Sequence, residues 1–465
     1  MKRSGILLMI ILFYQGVAAK GYQIKIRIDS AKDTSLLLAH YYLTNIYIKD
    51  TIQLNQKGEG IFTGDSLLHQ GLYKIYQNQV KNFDILVGAD QEFSVSGKDY
   101  TLAGLKIEGA SETMEFHKYV IYLADLQLQR KALEEKKKGV SAEESVLIDK
   151  QINNLGSQIQ KYWMEKEKEF PNTFFSKFLM SNYVPVPDEK SIPDSIAATD
   201  TLLTRYRYYF QRAHFFDHFD VRDERFLFTP LLKPKLETWF NQVLFPAYDS
   251  IRKPVIDMIE SVKPSRRIFQ YFTSFFLNAS INSNIMGMDA LFVDLARKYY
   301  LSGEATWADS ASLARIRENV IFAENNLIGM VAPELRLESV EGEFKSLHEI
   351  PARFTLVLIY EPTCGHCKVF VPELHKDVYP LFRKKGFEVY AIYTGDKRTE
   401  WEDFIKQEGL SDWINVWDPQ HRSRFKVTYD ARKTPGVFLL DRDKKIVAKK
   451  LSAVQIKGIL ENELK

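Results

Sequence analysis

The sequence predicts a multidomain chain: a small N-terminal β-sandwich, a central all-α region and a C-terminal α/β domain. Three observations carry this reading. At 465 residues the chain is too long for one core of ordinary size. Its hydrophobic period changes twice, from strand-like alternation to helical spacing after Gly109, then to alternating strands and helices after Leu327. Its only two cysteines stand together as Cys364-Gly365-His366-Cys367, directly after the apolar, β-branched run Phe354–Tyr360. Hydrophobic residues at 45% and charged residues at 26% are ordinary for a globular protein, and a net charge of +3 is too small to favour nucleic acid as a main partner.

Residues 1–19 read as a secretory signal: Lys2 and Arg3, an apolar run over 6–14, then Gly16-Val17-Ala18-Ala19 before Lys20. The expectation is export to the periplasm or cell envelope of a Gram-negative-type cell, with mature chain from Lys20 and no transmembrane span after cleavage. Residues 20–110 alternate with period two at Tyr22, Ile24, Ile26 and Ile28 and again at Ile46, Ile48 and Ile52, with glycines as punctuation. That is an antiparallel β-sandwich. Residues 111–326 are helical. Phe116, Tyr119, Leu123 and Leu126, then Ile148, Ile152, Leu155 and Ile159, form two amphipathic stripes, with Gly139 closing the first helix and a Ser141/Glu144 capping box opening the second. Further helices are expected over 202–219, 235–259, 268–282 and 288–301. His214 and His218 have a metal-compatible spacing, but no HExxH glutamate accompanies them and phenylalanines surround them, so packing explains them better. Residues 327–465 predict strands at 335–339, Phe354–Tyr360, Phe387–Tyr393, 437–441 and 445–449. Helices are expected after Cys364 and at 397–407, 420–425 and 453–464.

A strand feeding a helix whose first turn carries CxxC places Cys364 where unpaired N–H groups and the helix dipole favour a thiolate. Cys367, one turn deeper, is close enough to open or close a disulfide with it. With both cysteines in one motif, the pair reads as a working site rather than a staple, and no cofactor beyond that disulfide is implied. Cys364 is the attacking thiolate and Cys367 resolves the mixed disulfide, while His366 adds a dipole or charge beside Cys364. A zinc site would have to recruit two histidines.

The C-terminal part resembles the exported TlpA/ResA-like class of thioredoxin-fold proteins. The residues that carry the likeness are the segment 329–342 with Pro333 and Gly342, the strand before the motif, Cys364-Gly-His-Cys367-Lys368, Pro372 and Thr434-Pro435 ahead of Gly436-Val437-Phe438-Leu439. The resemblance implies a thioredoxin fold over 327–465, a helix kinked at Pro372, and Pro435 as a cis-proline facing the dithiol. It also implies exchange with protein thiols and disulfides of the envelope and with a redox partner protein. Leu358 stands where thioredoxin carries a buried Asp, which leaves Glu361 as the nearest alternative proton acceptor for Cys367. The alternative reading is a non-enzymatic envelope binding or scaffold protein with the domain as a recognition module; the intact CxxC favours the enzyme.

Overall fold

The computed structural model describes residues 21–283 and 285–465, so the expected export signal at 1–19 lies outside the described residues. The chain divides into two compact units, one ending at Val243 and one comprising Leu244–Lys465. The helical stretch 111–326 is therefore shared between the two units.

In the first unit the strands are β1 (Tyr22–Ile28), β2 (Ser35–Tyr42), β3 (Asn45–Gln53), β4 (Glu59–Gly64), β5 (Gly71–Tyr76), β6 (Asn82–Val87), β7 (Glu92–Gly97) and β8 (Lys106–Glu108). They form two sheets in the orders β4-β1-β7-β8 and β3-β2-β5-β6. Along β1, Ile24, Ile26 and Ile28 enter a core shared with Leu36, Leu38, Ile75 and Ile85, while Lys25 and Arg27 remain exposed. The wholly antiparallel arrangement expected from the sequence fails at one place, because β1 runs parallel to β7. Strands of the other sheet intervene between them in sequence, so no tight hairpin constrains their relative direction.

The helices Ser111–Lys137 and Ala142–Glu169 follow. Gly139 takes φ +87° in the turn between them. The Ser141 hydroxyl accepts from Glu144 N at 3.3 Å, and the Glu144 carboxylate accepts from Ser141 N at 3.3 Å. His214 Nδ1 lies 2.6 Å from Asp217 Oδ2, and the His218 ring packs at 5.1 Å from that of Tyr183. The single helix expected over 235–259 is instead two, Leu232–Thr238 and Tyr248–Ser261. The first continues as a wider turn over Trp239–Val243 and stops just before Pro246, whose ring disfavours helical backbone at Phe245.

The second unit is built on a seven-stranded sheet. Its strands are β9 (Arg336–Ser339), β10 (Phe344–Ser346), β11 (Phe354–Tyr360), β12 (Phe387–Tyr393), β13 (Ile414–Trp417), β14 (Gly436–Leu440) and β15 (Ile446–Lys449), in the order β10-β9-β13-β12-β11-β14-β15. β11 is parallel to β12 and antiparallel to β14. It is covered on both faces, which is why its sequence is continuously apolar rather than alternating. Leu356, Leu358 and Tyr360 pack with Cys367, Val371 and Leu374, whereas Val357 and Ile359 pack with Leu337, Ile392 and Phe438. Two strands, β10 and β13, were not expected, and the helix expected over 420–425 is a single turn at Phe425–Thr428.

The helices Tyr248–Ser261, Arg266–Ile281, Met288–Leu295 and Ser310–Ala323 belong to the same unit as this sheet. One buried cation ties them to it. Lys449, at the end of β15, is 4% exposed; its Nζ donates to the Asn326 carbonyl at 2.7 Å and to Asn326 Oδ1 at 2.9 Å, and it forms an ion pair with Asp289. Burial draws the Lys449 pKa below its ordinary value, and Asp289 opposes that shift. Removing one member of such a pair leaves an uncompensated charge in the interior. Asp289→Ala is expected to destabilise the Leu244–Lys465 unit by about 3 kcal/mol. The measurement is denaturant unfolding of the full chain followed through the tryptophans of that unit, and an unchanged midpoint would refute the assigned role.

Candidate functional site

Cys364 is the N-cap of the helix Gly365–Glu373. β11 ends at Tyr360, and the turn after it closes through Cys364 N donating to the Glu361 carbonyl at 3.0 Å. The helix begins as Lys368 N donates to the Cys364 carbonyl at 3.1 Å. Pro372 lies inside the helix, which then widens into one broader turn over Leu374–Val378. The Thr434–Pro435 bond is cis, and the Cys364 thiol donates to the Thr434 carbonyl at 3.4 Å.

The two sulfurs occupy opposed environments in the dithiol state. Cys364 is partly exposed, and hydrogen bonding to the Thr434 side chain, assisted by the backbone N–H groups of Cys367 and His366, outweighs desolvation and lowers its pKa to about 7. Cys367 is fully buried, and burial pushes its pKa up to about 11. Tyr360 lies behind Cys367, itself fully buried, and its hydroxyl accepts from Trp401 Nε1 at 3.0 Å. That packing keeps water from the resolving sulfur.

The remaining candidates are placed as follows. His366 is exposed, and its backbone N–H is what bonds Cys364. Glu361 also meets the pair through its backbone, which hydrogen-bonds Cys367, while its carboxylate accepts from Thr394 Oγ1 at 2.6 Å. Pro435 follows Thr434 directly, where the loop turns into β14. Sequence reasoning missed Thr434 as a direct partner of the thiol, along with Tyr360, Trp401 and Thr394. Only Thr434 had a signal, its place before the proline; the others are brought to the site by the pairing of β11 with β12 and by the helix Arg398–Glu408.

A family model described as thioredoxin-like matches residues 352–446. Among curated proteins, the thiol-disulfide oxidoreductase ResA of Geobacillus thermodenitrificans is 25% identical over 138 residues, covering 29% of this chain and 77% of that protein. ResA of Bacillus cereus is 26% identical over 141 residues, covering 30% of this chain and 79% of that protein. Among solved structures, a domain of a possible thiol-disulfide isomerase from Cytophaga hutchinsonii is 33% identical and covers 30% of this chain and 92% of that one, with a TM-score of 0.28.

The lowered Cys364 pKa means that its contribution to the stability of the reduced fold is present above the unfolded thiol value and is lost as pH falls through about 7. Alkylation of the reduced chain should accordingly modify one thiol with a midpoint near pH 7 and leave Cys367 protected. His366→Pro removes a backbone donor to a thiolate, a loss of about 1.5 kcal/mol, so that midpoint should rise by about one pH unit. His366→Ala retains the N–H and should keep the wild-type midpoint. Equal shifts in both variants would place the effect in the imidazole instead.

Proposed function

We propose, from the premise that residues 352–446 belong to the thioredoxin-like family, that this chain is an exported thiol-disulfide oxidoreductase acting on proteins of the cell envelope through Cys364 and Cys367. The coarser part of this statement, a thioredoxin-like thiol-disulfide redox enzyme, follows from the family match and the curated relatives. Export, the division of labour between the cysteines and the envelope clients are the proposal. The observation that supports it is the asymmetry of the pair: a partly exposed sulfur ionising near pH 7 beside a buried one held protonated.

Cys364, as thiolate, attacks one sulfur of a client disulfide, forming the Cys364–client bond as the client S–S bond breaks. The released client thiolate takes up a proton. Cys367 then loses its proton and attacks Cys364 Sγ; the mixed disulfide breaks and the second client thiolate leaves and is protonated. The client gains two electrons and two protons, and the chain is left with a Cys364–Cys367 disulfide. Run in reverse, the same steps oxidise a client dithiol, and the potential of the pair relative to its redox partner protein sets the direction. The Glu361 carboxylate, which accepts from Thr394 Oγ1, is the acceptor proposed for the Cys367 proton, and Pro435 with Thr434 forms the wall along which the client backbone approaches.

A Cys364 pKa of about 7 matches the thiolate stabilisation of thioredoxin, whose potential is about −270 mV, while Gly365-His366 is the dipeptide of protein disulfide isomerases at roughly −180 mV, so the potential of the pair should fall between these values. Cys367→Ser should accumulate a mixed disulfide with envelope proteins, whereas Cys364→Ser should capture none. Capture by both variants alike, or a chain recovered from the cytosol with residues 1–19 intact, would overturn the reading.

A further inference from the structure

The loop that presents Thr434 to Cys364 runs from the single helical turn Phe425–Thr428 to the start of β14. Three of its residues are tied to chain that lies before residue 352, where the family match begins. The Tyr429 hydroxyl donates to the Pro333 carbonyl. The Thr428 carbonyl accepts from Asn326 Nδ2 at 2.9 Å. Arg432, two residues from Thr434, donates from Nη1 to Asn319 Oδ1 at 2.8 Å and lies with its guanidinium 4.2 Å from the centre of the Phe322 ring. Its Nη2 also donates to Asp430 Oδ2 at 3.0 Å, with Nε on the other carboxylate oxygen.

The chemistry of Arg432 makes these contacts more than a surface ion pair. A planar guanidinium that forks onto a carboxylate, donates to an amide and stacks on a ring has its orientation fixed from three sides, which lysine cannot reproduce. Asn319 and Phe322 lie on the helix Ser310–Ala323, three residues apart, so both face the loop from one side of that helix. Asn326 just beyond it is itself bolted to β15 through Lys449. The helix thus has a fixed seat on the sheet at its C-terminal end and holds the loop through its last turns. Two residues span at most roughly 7 Å of backbone, so a displacement of Arg432 is transmitted to Thr434 with little slack.

We propose that Arg432, seated on Phe322 and Asn319 of the helix Ser310–Ala323, is a positioning residue for the dithiol: it holds the Thr434 loop against Cys364, so this helix helps to set the reactivity of the redox pair. The inference rests on the assignment of Cys364 as the attacking sulfur with Thr434 as its hydrogen-bond partner. It makes the helix, which lies outside the matched family region, part of the redox apparatus. Arg432 touches neither sulfur and acts only through the position of Thr434.

The test uses the full chain with Arg432→Ala, Phe322→Ala, Phe322→Tyr and Thr434→Val, and reads the pH midpoint of Cys364 alkylation together with the equilibrium of the pair against glutathione. Arg432→Ala and Phe322→Ala should each raise the midpoint by about half a unit or more and make the pair more reducing; the double variant should shift it no further than the larger single shift, as coupled residues do. Phe322→Tyr preserves the stacking face and should match wild type. Near-UV circular dichroism shows that the variants keep their fold; if Phe322→Ala does not, the surface variant Arg432→Ala carries the decision alone. Wild-type midpoints and potentials in Arg432→Ala, with Thr434→Val shifted, would overturn the positioning role while leaving the site assignment intact. Thr434→Val keeps the carbonyl that receives the thiol and removes only the side-chain hydrogen bond, so if it also left the midpoint in place, the Thr434 side chain would not be what lowers the Cys364 pKa and the positioning role would fall with it.

Discussion

Two chemically identical thiols three residues apart are made unlike by where the sheet ends. β11 is buried on both faces up to Tyr360, and the helix that follows starts at the rim of the core. One turn of helix is enough to carry a side chain from that rim into the interior. Cys364 therefore keeps access to solvent, to free backbone donors and to Thr434, whereas Cys367 packs among Leu374, Val371 and Tyr360 and loses hydration. Desolvation raises a thiol pKa and hydrogen-bond donors lower it, so the same secondary structure moves the two values apart. Redox exchange needs this ordering, with one sulfur ready to attack and the other held back until the mixed disulfide has formed.

The parts of this arrangement written in local sequence were legible without a structure. The run Phe354–Tyr360 reads as a buried strand, the residues after Cys364 open a helix, and Thr434-Pro435 precedes a β-branched and aromatic run. Each rests on neighbours within a few positions. β13 escaped notice because four residues, Ile414 to Trp417, are too few to establish a period; only their pairing with β12 and β9 makes them a strand. The backbone donors at Cys364 were legible from its place at a helix start, and the His366 N–H is one of them.

Lys449 is the clearest case of information that local sequence does not hold. In a segment with lysines at 444, 445, 449 and 450 it reads as one more solvated cation. Its register opposite Phe438 on β14 instead directs it into the interior, where Asn326 and Asp289 receive it. Those partners are more than a hundred residues away in sequence, and no periodicity links them to β15. Nor does composition reveal that the helices after Leu244 belong with the sheet rather than with the helical hairpin before Val243.

That placement changes what counts as the redox part of the chain. A division at residue 327, natural from the change in hydrophobic period, would cut between Asn326 and the sheet it is bonded to. It would remove Asp289 and Asn326 from Lys449 and would take Asn319 and Phe322 from Arg432. The cysteines, the strand and the helix N-terminus are sufficient to define the chemistry, but the seat of the loop that faces Cys364 extends back through the helix Ser310–Ala323.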